Sequence, residues 1–158
     1  PAGATGPAGP GFDPKLTRLV KLSPAEGVFT AAQLNALLLD AGLLLVFSAP
    51  LDPDTVKLNG TRMVEAWATA RDGSSRFVTG LADLAAVDTL RWRLDPAGAT
   101  AFKIGFANGV GQLLLRVDGD RLVDVNRRPV ACTLVALNFP TLVVAPGGQL
   151  HLNFVVGG

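Results

Sequence analysis

A nucleophile needs a base within hydrogen-bond reach, and this chain has one cysteine, Cys132, and one histidine, His151, from which to assemble such a pair. The local pattern argues against it. Across residues 150–156, Leu150, Leu152, Phe154 and Val156 alternate on one strand face, which leaves His151 beside Asn153 on the other. A small core cysteine and a surface or edge histidine account for both residues. The sequence therefore predicts no enzyme, no catalytic residue and no cofactor.

A second constellation is acidic. Asp118, Asp120, Asp124 and Asn126 spell D-G-D-x-x-x-D-x-N, an oxygen-rich spacing of the kind that can hold Ca²⁺. It lacks the bidentate Glu and ligand ladder of an EF-hand, and Arg121, Arg127 and Arg128 crowd it with positive charge. Turn-forming Asp and Asn explain the same letters. Asp52 and Asp54 read as caps of a D-P-D-T turn rather than as metal ligands. Trp67 and Trp92 are the two side chains able to stack on a sugar ring, and in a sandwich the alternative for each is burial in the core. Residues 106–112, FANGVGQ, carry a G-x-G but no third glycine and no phosphate-loop lysine, so they are expected to form a loop. Asn59-Gly60-Thr61 matches a glycosylation sequon, which has chemical meaning only in a eukaryotic secretory host.

The elements that position these residues read mainly as strands. KLTRLVKL (15–22) places Leu16, Val20 and Leu22 on one alternating register, a first strand. Thr30 stands three residues before Gln33, a capping-box spacing; Leu34, Leu37, Leu38 and Ala41 follow at helical spacing, and Gly42 suits a left-handed cap. One short helix is expected over 30–41. LLLVFSAPL (43–51) is apolar on both faces, as a central strand would be, and DPDT then reads as a turn or a single helical turn. RMVEAWATA (62–70), for which a helix is the alternative, SRFVTG (75–80), VDTLRWRL (87–94), QLLLRV (112–117) and 150–156 complete the strand set, and a further run leads through 130 to 137. The turns are marked by Asp72-Gly73 and Asp118-Gly119. Many short strands around a single helix predict an all-β fold, an antiparallel sandwich rather than βαβ units.

Composition narrows the class. The chain has 158 residues, 49% hydrophobic and 17% charged, which fits one well-packed domain and excludes a disordered polymer. Lys plus Arg number 14 against 13 Asp plus Glu, a formal net charge of +1, so no nucleic-acid partner is expected. The longest apolar stretch, 36–51, is interrupted by Asp40 and closed by Pro50, short of the ~20 residues of a spanning helix, so no membrane insertion is expected. Residues 1–11, PAGATGPAGPG, set Gly3, Gly6 and Gly9 in the three-residue period that a collagen axis demands. Three such triplets cannot hold a triple helix alone. Two readings stand: a Pro/Gly linker, or the end of a longer stalk that would make residues 12–158 a trimeric head.

Three stretches in order carry a resemblance: LVKLSPAEGVF (19–29), LLLVFSAPLDPDTV (43–56) and LLLRVDGDRLVDVNRRPV (113–130). Together they resemble the bacterial immunoglobulin-like domains of surface-layer and other secreted proteins. Phe47, Pro50, Leu51, Asp52 and Thr55 match that family's middle motif; Val117, Gly119, Asp120, Val123 and Asp124 match its last. The family's glycine after the final Asp turn is replaced in the Asn126, Arg127, Arg128 stretch, and the chain beyond Val130 is longer than a normal module, a C-terminal strand extension. The resemblance implies an immunoglobulin-like sandwich and a non-catalytic spacer, adhesive or assembly unit, extracellular, cell-surface or particle-associated. The expected partners are further copies of the chain, in the limit a homotrimer, other surface or particle proteins, or glycans.

Overall fold

The computed structural model describes residues 16–131 and 147–157. Two sheets dominate it. The first is built from β1 (Leu19–Ser23), β3 (Leu43–Phe47), β7 (Thr89–Leu94) and β6 (Gly80–Ala86), in the order β1-β3-β7-β6. The second contains β2 (Val28–Phe29), β9 (Gln149–Val156), β8 (Gly111–Asp118), β4 (Val64–Ala70) and β5 (Ser75–Val78), in the order β2-β9-β8-β4-β5. Between these strands every pairing is antiparallel except β2 with β9, where Val155 faces Val28 and Val156 faces Phe29 in parallel. The expectation of an antiparallel sandwich is corrected at that one edge.

Alternation decides which side chains meet between the sheets. Leu113, Leu115 and Val117 of β8 point inward with Leu150, Leu152, Phe154 and Val156 of β9, all buried. Leu43, Leu45 and Phe47 of β3 and Leu90, Trp92 and Leu94 of β7 answer them from the other sheet. The expected β9 is present with the expected inward face. The first strand is present as β1, with a different inward face: a register shift on β3 between Leu19 and Lys21 turns Leu19 inward and leaves Val20 at 49% exposure, because a bulge puts two successive residues on the same side.

Among the described residues three α-helices, not one, accompany the sheets. The expected helix is α1 (Ala31–Leu39), opened by a full capping box in which Gln33 N–H donates to Thr30 Oγ1 and Thr30 N–H donates to Gln33 Oε1, both at 3.1 Å. Gly42, at φ +76°, donates its N–H to the Leu37 carbonyl and ends the run. Leu34 and Leu38 are the buried members of its stripe, and Leu37 is only partly buried. The D-P-D-T turn extends into α2 (Pro53–Asn59): Asp52 accepts from Asp54 N–H and Thr55 Oγ1, Pro53 pre-sets φ, and Val56 anchors the next turn in the core. The third, α3 (Pro96–Gly105), was not expected. Asp95 caps it by accepting from Gly98 N–H at 2.6 Å and from Thr79 Oγ1 at 2.7 Å, and Phe102 and Phe106, four residues apart, pack edge-to-face 4.7 Å between centroids. No helix among the described residues is long and apolar enough to cross a membrane.

Close backbone approach under α3 makes a sharp test. A methyl group at Gly98 would collide with the Thr79 carbonyl, and that backbone has no flexible tip to move aside. Gly98→Ala should destabilise the fold by roughly 3 kcal/mol or more, read from denaturant or thermal unfolding. An unchanged midpoint would contradict the packing of α3 on the β5–β6 corner.

Candidate functional site

The outward face of the five-stranded sheet gathers the side chains best suited to recognition. Register builds it in rows: Phe77 of β5 lies opposite Trp67 of β4, Trp67 opposite Leu114 of β8, and Leu114 opposite Asn153 of β9. The adjacent row runs Glu65, Arg116, His151. Odd-numbered residues of β4 and β9 and even-numbered residues of β8 point outward, because their neighbours fill the core. Phe77 is 49% exposed, Leu114 is 37% exposed and Trp67 is half-buried.

Aromatic and charged groups then lock each other. Trp67 and Phe77 meet nearly perpendicular, with centroids 5.8 Å apart. The Arg116 guanidinium lies over the Trp67 ring, 5.8 Å from its centre, at the outer limit of a cation–π contact. Glu65 accepts a short charge-assisted hydrogen bond from Arg116 across the strands. Trp67, Leu114, Arg116, His151 and Asn153 border a shallow depression of about 270 Å³. The Asn153 side-chain oxygen is buried at its margin without a hydrogen-bond partner, while the Asn153 N–H donates to Glu26 at 2.7 Å.

The outward face of the other sheet is built differently. Asp83 takes two hydrogen bonds from Arg91, at 3.0 and 2.7 Å, with Arg93 3.5 Å away. The Arg91 hydrogen bonds hold the Asp83 carboxyl below its ordinary range, and Arg91 is pushed up in turn. These charges satisfy each other and present no aromatic surface.

The two tryptophans therefore part company. Trp92 is fully buried in the core, packed over Gly80, and is removed from any ligand platform. Trp67 stays, joined by Phe77, Leu114 and Arg116, which sequence reading did not single out. The signal for Leu114 and Arg116 is the period-2 alternation of β8, which names the outward residues once the inward ones are known, whereas Phe77 lies on the short β5, whose residues 75–77 are all exposed.

The acidic letters separate as well. Among the described residues, no group of three or more His, Cys, Asp or Glu side chains is placed to hold a metal ion. Asp118 caps a short 3₁₀ turn (Gly119–Arg121), accepting from Asp120 N–H, and pairs with Arg121 at 3.2 Å. Asp120 is exposed and accepts from Gly148 N–H. Asp124 is fully buried and its oxygens are taken: Thr17 Oγ1 donates at 2.8 Å, Asn126 N–H at 2.8 Å and Arg128 N–H at 3.1 Å. Asn126 is exposed, its backbone shaping the turn in which Arg127 takes φ +66°. These carboxylates act as turn anchors. The Cys132/His151 pair cannot be placed, because Cys132 lies outside the described residues, as do residues 1–11 and the run 132–137. His151 is exposed on β9 beside Arg116. Asn59 donates from its side-chain amide to the Arg121 carbonyl, so the sequon amide serves the fold. FANGVGQ forms the expected connection, with positive φ at Gly109 and Gly111.

Two contrasts follow from this placement. Trp92→Ala should cost about 3–5 kcal/mol of stability, whereas Trp67→Ala should cost about 1–2 kcal/mol, the contribution of its pair contacts; equal losses in chemical unfolding would refute the division between core and surface. Asp124→Ala leaves a hydroxyl and two backbone donors without their acceptor and should cost about 2–4 kcal/mol, against about 1 kcal/mol for Asp120→Ala.

Comparison of the chain with known protein families, with curated proteins and with solved structures gives no match.

Proposed function

We propose that the chain is an immunoglobulin-like sandwich serving as a non-catalytic structural or adhesive module of a bacterial surface, or of an extracellular or phage-like particle, carried on a collagen-like segment. Strand order supports the fold assignment. Read along the chain, β1-β3-β7-β6 takes the places A-B-E-D, and β2-β9-β8-β4-β5 takes A′-G-F-C-C′, the two-sheet arrangement of immunoglobulin-like domains.

The observation that carries the reading is where the family-like motifs meet. Leu51 of the middle motif bridges Asp124 of the last, Asp52 N–H donates to the Val123 carbonyl at 2.9 Å, and Val125 N–H donates to Pro50 at 3.2 Å. Segments about seventy positions apart thus share one backbone pairing, and Asp124 reaches on to Thr17 at the base of the first strand. A motif pair that closes one end of a sandwich belongs to architecture, which supports a structural role over a chemical one.

The collagen-period residues lead along the chain toward the same end. Ala131 N–H donates to the Thr17 carbonyl at 2.8 Å, and Leu16 packs with Ala131 in a small cluster of its own. Since three PPII chains must share one axis, a head on such a stalk supplies the register that three triplets cannot, and we infer a homotrimer with converging N-termini. The second reading, a carbohydrate-binding head, is favoured by the half-exposed Trp67.

Light scattering on residues 1–158 tests the assembly. A trimer mass that persists after deletion of residues 1–11 is expected; a concentration-independent monomer would overturn self-association by the head.

A further inference from the structure

We infer that the depression beside Trp67 is a subsite for one neutral pyranose ring, a hexose or N-acetylhexosamine unit of a surface polysaccharide. The inference rests on reading the chain as a binding module and names the ligand class of that sheet face.

The side-chain chemistry selects the class. A pyranose with equatorial hydroxyls has apolar C–H faces and a polar rim, so it needs an aromatic plane bordered by planar donors and acceptors. Trp67 supplies the plane, and Phe77, standing nearly perpendicular 5.8 Å away, holds it from the β5 side. Arg116, His151 and Asn153 supply the rim, offering guanidinium donors, an imidazole and an amide, with Glu65 behind Arg116 as its ion-pair partner.

Charge complementarity decides between sugars. Arg116 is already matched by Glu65, so the pair brings no net charge to the subsite. A sulfated or carboxylated sugar would have to break that pair to be recognised, and would meet the Glu65 carboxylate in doing so. A neutral ring can hydrogen-bond to the outer lone pairs and donors of the pair while leaving it intact. The size agrees: about 270 Å³ in an open, shallow form lies just under the range of enclosed drug-sized pockets and suits one ring of a longer chain.

The test uses the full 158-residue chain titrated with cellohexaose and with chitohexaose, followed by indole emission and by calorimetry. Trp92 is fully buried, so a ligand-dependent emission change reports on Trp67. Saturable binding of at least one oligosaccharide is expected, in the micromolar to millimolar range usual for a shallow site. It should be abolished by Trp67→Ala and weakened about tenfold by Arg116→Gln or Phe77→Ala, with the unfolding midpoint of each variant measured in parallel. Heparin should give no response through these residues. The inference fails if neither neutral oligosaccharide binds, if binding survives Trp67→Ala, or if heparin binds in preference through Arg116. If the trimer dissociates on Trp67→Ala while no sugar binds, a second copy occupies the face and the saccharide assignment falls. A trimer that persists without sugar binding leaves the structural-module reading intact and removes this inference alone.

Discussion

The register of β9 on β8 governs the molecule. With Leu152 opposite Leu115 and Phe154 opposite Leu113, seven large apolar side chains from two neighbouring strands face the other sheet. The intervening residues, Leu114, Arg116, His151 and Asn153, are turned to solvent by the same alternation. A slip of β9 by one position would exchange its two faces, burying His151 and Asn153 while exposing Leu150, Leu152, Phe154 and Val156. Burial of each such side chain is worth about 1.5–3 kcal/mol, so the core enforces the register and the register creates the outward face. The recognition surface is in this sense a by-product of core packing, coloured by whichever residues occupy the alternate positions.

Closure of one end depends on a different interaction. Asp124 is a buried carboxylate with three donors, and it connects the base of the first strand, through Thr17, to the turn after β8. Around it the 50–52 segment pairs with the 123–125 segment, so α2, the 3₁₀ turn and the entry to β1 converge on a single polar atom group. A buried charge is tolerable only when its lone pairs are occupied, and here local backbone donors together with a hydroxyl more than a hundred residues away occupy them. The D-G-D-x-x-x-D-x-N spacing that suggests a calcium loop is thereby explained by geometry: Asp118 caps a turn, Asp120 accepts from Gly148 N–H before β9, and Asp124 anchors the fold.

What could be read in the sequence divides along the range of the forces involved. The capping box of Thr30 and Gln33, the Leu34/Leu38 stripe and the Gly42 stop are local, and α1 lies where they put it. The strict alternation of 150–156 likewise identified β9 and its inward face. By contrast, α3 contains Gly98 and Gly105, poor helix formers that are present because Thr79 and Ala68 press against them, a reason invisible until the sheets are assembled. β6 was missed because its inward side holds only small or partly buried residues such as Ala82 and Leu84. Trp67 and Trp92 sit on strands of equal apparent character, and only the identity of the opposing sheet sends one into the core and the other outward. Phe77 and Arg116 could not be linked to Trp67 before register was known, since their association is a cross-strand fact.

The β8–β9 register thus decides both the core and the outward face, and cross-strand proton contacts measured by nuclear magnetic resonance test it. Val155 N–H donates away from β8, to Gly27, which makes the odd residues of β9 the non-hydrogen-bonded partners whose α-protons approach closely. Strong Hα–Hα contacts are predicted between Asn153 and Leu114 and between His151 and Arg116. Contacts of Asn153 with Leu113 or Leu115 instead would place β9 one residue out of step, and would contradict both the core and the outward face built on it.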